Sequence, residues 1–99
     1  MIENVVILPE ALDDVVEAYS WYEGRGVGLG DRFLDRVDEC IDRIRKNPEL
    51  FERAYQDYRR AILHRFPYVV FYEYRFDTIT VYSVFHSAQD PRKWRKRLS

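Results

Sequence analysis

The sequence has a single cysteine and two histidines, and this scarcity removes several classes of function at once. Cys40 alone closes no intramolecular disulfide, so the fold rests on its core rather than on a stapled framework. It stands among apolar positions of a predicted helix, where a thiol serves as a small buried hydrophobe. His64 and His86 have no second His, Cys or acid at helical or hairpin ligand spacing, so neither a metal nor a cofactor is expected. Long apolar runs are missing too, which excludes a membrane span. The chain opens on a strand-like run flanked by Glu3 and Glu10 rather than on a basic stretch with an apolar one behind it. Cytoplasmic localisation is the expectation. Internal repeats and low-complexity stretches are absent as well, and residues 1–99 read as one domain with a single core.

Net charge is equally scarce, at -1 overall, but its distribution is uneven. Residues 1–57 carry 14 acids against seven bases, whereas residues 58–99 carry three acids against nine bases. A near-neutral total therefore leaves room for a basic surface that meets an acidic partner or nucleic acid.

What is abundant is aromatic: eight Tyr, six Phe and two Trp must serve both core and surface. Glu3 to Leu8 is a short β-branched run ending at Pro9, hence a first strand. Leu12, Val15, Val16, Tyr19 and Tyr22 recur at spacings of three and four, with Asp13, Asp14 and Glu17 opposite, which predicts an amphipathic helix from Pro9 to Arg25. Gly26, Gly28 and Gly30 follow a helix rather than a strand, so they form a helical-hairpin connection, not a phosphate cradle. Asp31 is the expected cap of a second helix with Phe33, Leu34, Val37, Cys40, Ile41 and Ile44 on its apolar face, stopped by Asn47-Pro48.

Glu49 to Arg53 reads as one further short turn. Tyr58 to His64, Tyr68 to Arg75 and Ile79 to His86 read as strands, the last two a hairpin joined by Phe76-Asp77-Thr78. Asp90-Pro91 caps a short terminal helix, Arg92 to Leu98. The order predicts an α+β fold: an N-terminal strand and an antiparallel helical hairpin packed on a mainly antiparallel four-stranded sheet, with a short C-terminal helix.

Several residue groups in this order resemble one known family. They are Trp21-Tyr22-Glu23, Gly28-Leu29-Gly30 with Phe33-Leu34, Ile44 before Asn47-Pro48, Arg59-Arg60, Phe66-Pro67-Tyr68, and Val84-Phe85-His86 followed by Asp90-Pro91 and Trp94. Together they resemble the RelE/ParE superfamily of toxins from type II toxin-antitoxin modules. The Phe-Pro-Tyr triplet and the His, Asp-Pro, Trp tail look more like the ParE-type branch, often labelled plasmid stabilisation proteins. The resemblance implies a toxin neutralised by a cognate antitoxin, as a homodimer or a toxin-antitoxin hetero-oligomer. It offers two targets: DNA gyrase, inhibited by binding, or the ribosome, where RelE-type toxins act as mRNA interferases that cleave mRNA without a metal. An inactive relative that keeps only an interaction role is a third reading.

Metal-free RNA cleavage needs a base for the 2′-hydroxyl, cations for the developing phosphorane charge and an acid for the leaving oxygen. His86, Arg60 and Arg65 are the candidates, with Arg59 and a carboxylate such as Glu49 or Glu52 nearby in sequence. RNA-cleaving relatives typically carry an arginine where this chain has Tyr68.

If the hairpin loop has three residues, Arg75 lies opposite Ile79, Tyr72 opposite Tyr82, and Tyr68 opposite His86. Tyr68, Tyr72, Tyr82 and His86 then share an outer face, and Val69, Phe71, Val81 and Phe85 meet the helices. Such a face bordered by arginines suits base stacking and phosphate contact, and suits a partner's apolar helix equally well. His86 is as readily an edge residue satisfied by the turn toward Ser87. Of Arg59 and Arg60, alternation sends one to the face of His86 and leaves the other to pair with an acid. Arg92, Lys93, Arg95, Lys96 and Arg97 surround Trp94, which anchors a tail whose cations are candidates for target or nucleic-acid binding.

Overall fold

The computed structural model describes residues 4–98. Its elements follow in the order β1 (Asn4–Ile7), α1 (Pro9–Glu23), α2 (Leu29–Lys46), β2 (Arg53–Tyr55), β3 (Tyr58–Ile62), β4 (Tyr68–Arg75), β5 (Thr78–His86) and α3 (Pro91–Leu98). Glu3, the expected start of the first strand, lies outside the described residues. The strands form one mixed sheet in the order β1-β5-β4-β3-β2, with β1 parallel to β5 and the other pairs antiparallel. The expected α+β architecture is present with one strand more than four. That strand is β2, which begins at the last residue of the expected Glu49–Arg53 turn and goes unread because three residues carry too little pattern to show a period of two. Among the described residues no helix is long and apolar enough to cross a membrane.

α1 begins at Pro9, whose fixed φ and missing N–H suit a first helical position, and buries Ala11, Val15 and Ala18. α2 buries Phe33, Val37, Cys40 and Ile44 at helical spacing. Burial pushes the Cys40 thiol up to about 11, as befits a core side chain.

The start of α2 corrects the expected cap: Asp31 lies within the first turn, and the carboxylate that meets the helix end comes from α1. Glu23 Oε2 accepts the Gly28 N–H at 3.0 Å, and Oε1 accepts the Gly30 N–H at 2.9 Å. An acid at the end of one helix thus satisfies the open donors of the next. Gly28 has φ +86°, and a Cβ on Gly30 would come within 2.7 Å of the Tyr19 ring, so both positions call for glycine.

β4 and β5 meet through two residues, Phe76 and Asp77, with φ of 51° and 56°, which leaves Arg75 opposite Thr78 rather than Ile79. Two consecutive left-handed residues match the twist of the flanking strands. Farther along, the ladder steps from Tyr72 opposite Val81 to Phe71 opposite Ser83, skipping Tyr82 as a bulge. The shorter turn and the bulge cancel beyond that point, so Tyr68 faces His86 as expected. The expected Tyr72–Tyr82 pair does not form.

The face assignment is corrected with it. Val70, Tyr72, Ile79, Val81 and Val84 meet the helices, whereas Val69, Phe71 and Phe85 form a second cluster with Leu98, against which Tyr58, Tyr82 and Trp94 pack. Only Val81 of the four expected helix-facing residues is on that side. The reason is α3, which folds back over the second face: Trp94 stacks on Phe71 at 4.7 Å, and Leu98 is buried. With both faces covered, alternation no longer marks which side is the core. The Asp90 cap of this helix forms as expected, its Oδ1 accepting the Arg92 N–H at 2.9 Å.

Candidate functional site

β1 accompanies β5 only as far as Val81, whose carbonyl accepts the Leu8 N–H at 3.1 Å. Beyond that point the edge of β5 is closed by a side chain. Asp14 on α1 accepts the Val84 N–H at 3.0 Å and holds the Arg97 guanidinium through two bonds of 3.0 and 3.2 Å. Its side chain is only 12% exposed. Arg97 in turn lies over the Phe85 ring, 4.7 Å from its centre. One carboxylate thereby ties α1, β5 and α3 together. The sequence carries a signal for this: Asp14 follows Ala11 by three residues and precedes Ala18 by four, both buried, so it interrupts the apolar face rather than lying opposite it.

Between α1 and α3 opens a groove of about 730 Å³. Its floor is aromatic and fixed. Tyr22 packs on Phe33, Phe66 and Tyr68 at centroid distances of 5.4, 4.9 and 6.0 Å, and Trp21 meets Tyr22 edge-on at 5.0 Å. Glu17 stands on the α1 side, Lys93 and Lys96 on the α3 side, and His86 and Gln89 complete the lining. Burial, then the neighbouring Tyr22 and Glu17, raise the Tyr68 phenol above its usual range, so it remains a neutral donor.

Of the expected surface quartet, the fold brings together Tyr68 and His86, with ring centres 5.2 Å apart and edge-on. His86 Nδ1 accepts the Ala88 N–H at 3.0 Å, so the ring is engaged by the turn that follows it. Tyr72 is fully buried, donates to the Pro48 carbonyl at 2.6 Å and is pushed by burial up to about 12. Tyr82 lies on the α3 face, 5.0 Å from Tyr58, with its hydroxyl 3.4 Å from Glu73.

The arginines divide differently from expectation. Arg59 Nη1 donates to the carbonyls of Glu49 and Phe51 at 3.1 and 2.6 Å, pinning the segment that leads into β2. Arg60 both pairs with an acid, Glu52 at 2.6 Å, and shares a hollow of about 180 Å³ with His86 beside Trp94. Arg65 is exposed in the turn before β4 at φ 68°, and makes no ion pair or hydrogen bond among the described residues. Arg92 grips Asp90 at 2.9 and 2.6 Å, which holds that carboxyl below its usual range. Arg95 lies over the Trp94 ring at 5.4 Å.

A family model, described as the ParE toxin of the type II toxin-antitoxin system parDE, matches residues 5–91. The chain belongs to the ParE toxin family. Among solved structures, a chain of the chromosomal ParDE TA system from P. aeruginosa aligns with a TM-score of 0.63 at 13% identity, covering 86% of this chain and 96% of that one. At that identity the likeness shows the fold. No curated protein matches the sequence significantly. For this ParE-family chain the matched span runs from β1 to the first residue of α3. The cations from Arg92 onward and the Trp94 anchor lie beyond it, so their roles rest on the geometry above.

Proposed function

We propose that this chain is the toxin of a type II toxin-antitoxin module, acting in the cytoplasm, neutralised by a cognate antitoxin and stopping growth by binding DNA gyrase rather than by cutting RNA. The observation that carries the second half is the state of the candidate catalytic groups. Arg59 is engaged by carbonyls, Arg60 by Glu52, and the His86 Nδ1 by Ala88, while Tyr68 stands beside His86 in place of a phosphate-gripping cation. Such a set supports binding better than acid-base chemistry, which needs a base and cations converging on one reacting centre. Exposed cations of α3, namely Arg92, Lys93, Arg95 and Lys96, supply the surface for the target.

One observation favours the mRNA-endonuclease reading instead: Arg60 and His86 line a common hollow. The two separate in one experiment. The chain is expressed without its antitoxin while growth, plasmid supercoiling and translation are followed together. Loss of supercoiling ahead of any translation defect is the expected result. Early translation arrest with mRNA cuts that disappear in His86→Ala would establish the nuclease, and unimpaired growth would leave only an interaction role.

A further inference from the structure

We infer that the tip of the β4–β5 hairpin is a second contact with the toxin's target: Phe76 enters an apolar pocket on the protein surface of that target, and Asp77 meets a cation at the pocket's lip. This rests on the gyrase-binding reading above and adds a contact separate from the α3 cations, since the tip and the turn into α3 lie at opposite ends of β5.

Backbone and sequence disagree at this tip. Phe76 and Asp77 hold φ of 51° and 56°, the paired left-handed conformation of a two-residue hairpin turn, which Asn-Gly adopts with least strain. Aspartate is among the residues that tolerate this region, whereas a bulky phenylalanine is a rare occupant of it. Nothing in the fold compensates. Phe76 is 88% exposed and belongs to neither apolar cluster. Among the described residues its ring packs on no other aromatic ring, and it carries the Arg75 guanidinium 5.3 Å from its centre. A large apolar side chain thus stands where both the backbone and the solvent disfavour it. A residue that opposes its own fold in this way points to a contact outside that fold.

The charges around the tip fix the kind of contact. Glu73 is shared between Arg75 at 3.8 Å and the Tyr82 hydroxyl at 3.4 Å. Asp77 accepts from the Tyr74 hydroxyl at 3.4 Å and makes no ion pair among the described residues. Arg59 lies opposite Tyr72, so the β2–β3 turn opens at the same end of the sheet, where Asp57 is paired with Arg53 at 3.4 Å. The charge left over at this end is that of the Asp77 carboxylate. It repels a phosphate backbone and suits a cation on a protein surface. An exposed aromatic side chain held by a short turn is of the kind that anchors such an interface once a pocket takes it out of water.

The test is a supercoiling assay with purified gyrase and the whole chain, comparing the wild type, Phe76→Leu and the double variant Phe76→Asn/Asp77→Gly, with a melting curve for each. The double variant supplies the residues that the turn prefers, and is expected to melt roughly 4–8 °C above the wild type. Despite the firmer fold, it is expected to need roughly 10- to 100-fold more protein for half-inhibition. Phe76→Leu, still apolar, should fall between the two. If the double variant inhibits as well as the wild type, the tip makes no contact and the gyrase reading stands. If the wild type does not inhibit gyrase, both fall. A double variant that melts below the wild type would give Phe76 a structural role in place of a contact. Duplex DNA that binds the wild type but not the double variant, with gyrase absent, would overturn the protein pocket in favour of nucleic acid.

Discussion

Asp14 serves three elements with one carboxylate, and its neighbours set how much each bond contributes. The Val84 N–H has no strand partner on that edge, so without Asp14 it is left to whatever water reaches it. Arg97 is 29% exposed on its side chain and regains hydration when released, which discounts its share. Asp14→Ala is therefore expected to lower stability by about 2–3 kcal/mol, and Arg97→Ala by about 1 kcal/mol. Asp14→Asn should fall between them, because an amide oxygen still accepts from Val84. Urea denaturation of the two single variants and the double variant measures the coupling, expected near 1 kcal/mol. Equal losses for Asp14→Ala and Arg97→Ala would mean that the Val84 bond contributes nothing.

At the scale of elements, the helical hairpin shows how a short motif can be visible in sequence while its mechanism is not. The glycines announce a connection between two helices, and the structure has one there. That Glu23 holds the second helix is hidden, because a carboxylate five residues from one donor and seven from the other leaves no fixed-spacing signature. Glu23→Gln keeps the side-chain oxygen but loses its charge, and Glu23→Ala loses both. Expected losses are about 0.5 and 1–2 kcal/mol respectively, read as shifts in the urea midpoint. Gly30→Ala forces a Cβ into the Tyr19 ring and is expected to cost at least as much as Glu23→Ala.

The β4–β5 hairpin was legible in a different and partial way. Its existence follows from composition, but the Tyr68–His86 pair comes out as expected only because the loop is one residue shorter than it reads and the Tyr82 bulge compensates. Nothing in Val81-Tyr82-Ser83-Val84 marks a bulge, since all four residues suit a strand. The two apolar faces then made the sidedness unreadable, and with it the fate of Tyr72 as a core residue and of Tyr82 as a neighbour of Tyr58. The candidate site is accordingly legible only at its ends, in Tyr68, His86 and the basic tail. Asp14 and Trp21 share a face of α1, but the groove that they line with Gln89 is closed on its other side only by the docking of α3.

Over the whole molecule, the acidic and basic halves of the sequence fold onto one another instead of presenting two separate poles. Asp14 meets Arg97, Glu52 meets Arg60, and Glu39 lies 2.9 Å from His64. On α3, Arg92 and Arg97 are paired in the same way, whereas the Lys93 and Lys96 side chains form no ion pair among the described residues. The tail is also part of the core, since Trp94 and Leu98 cover Phe71 and Val69.

Removing residues after Gln89 would therefore confound loss of target binding with exposure of the second apolar cluster. Charge substitutions avoid this. Changing Arg92, Lys93, Arg95 and Lys96 together to Gln, with Trp94, Arg97 and Leu98 retained, is expected to leave the melting temperature within a few degrees of the wild type. On the gyrase reading proposed above, the expected outcome is supercoiling inhibition by the wild type at physiological salt and its loss in this variant. Full inhibition by the neutralised variant would move the target contact away from α3 and onto the sheet. A collapse in stability would show instead that these cations hold the helix in place, Arg92 through its grip on the Asp90 cap.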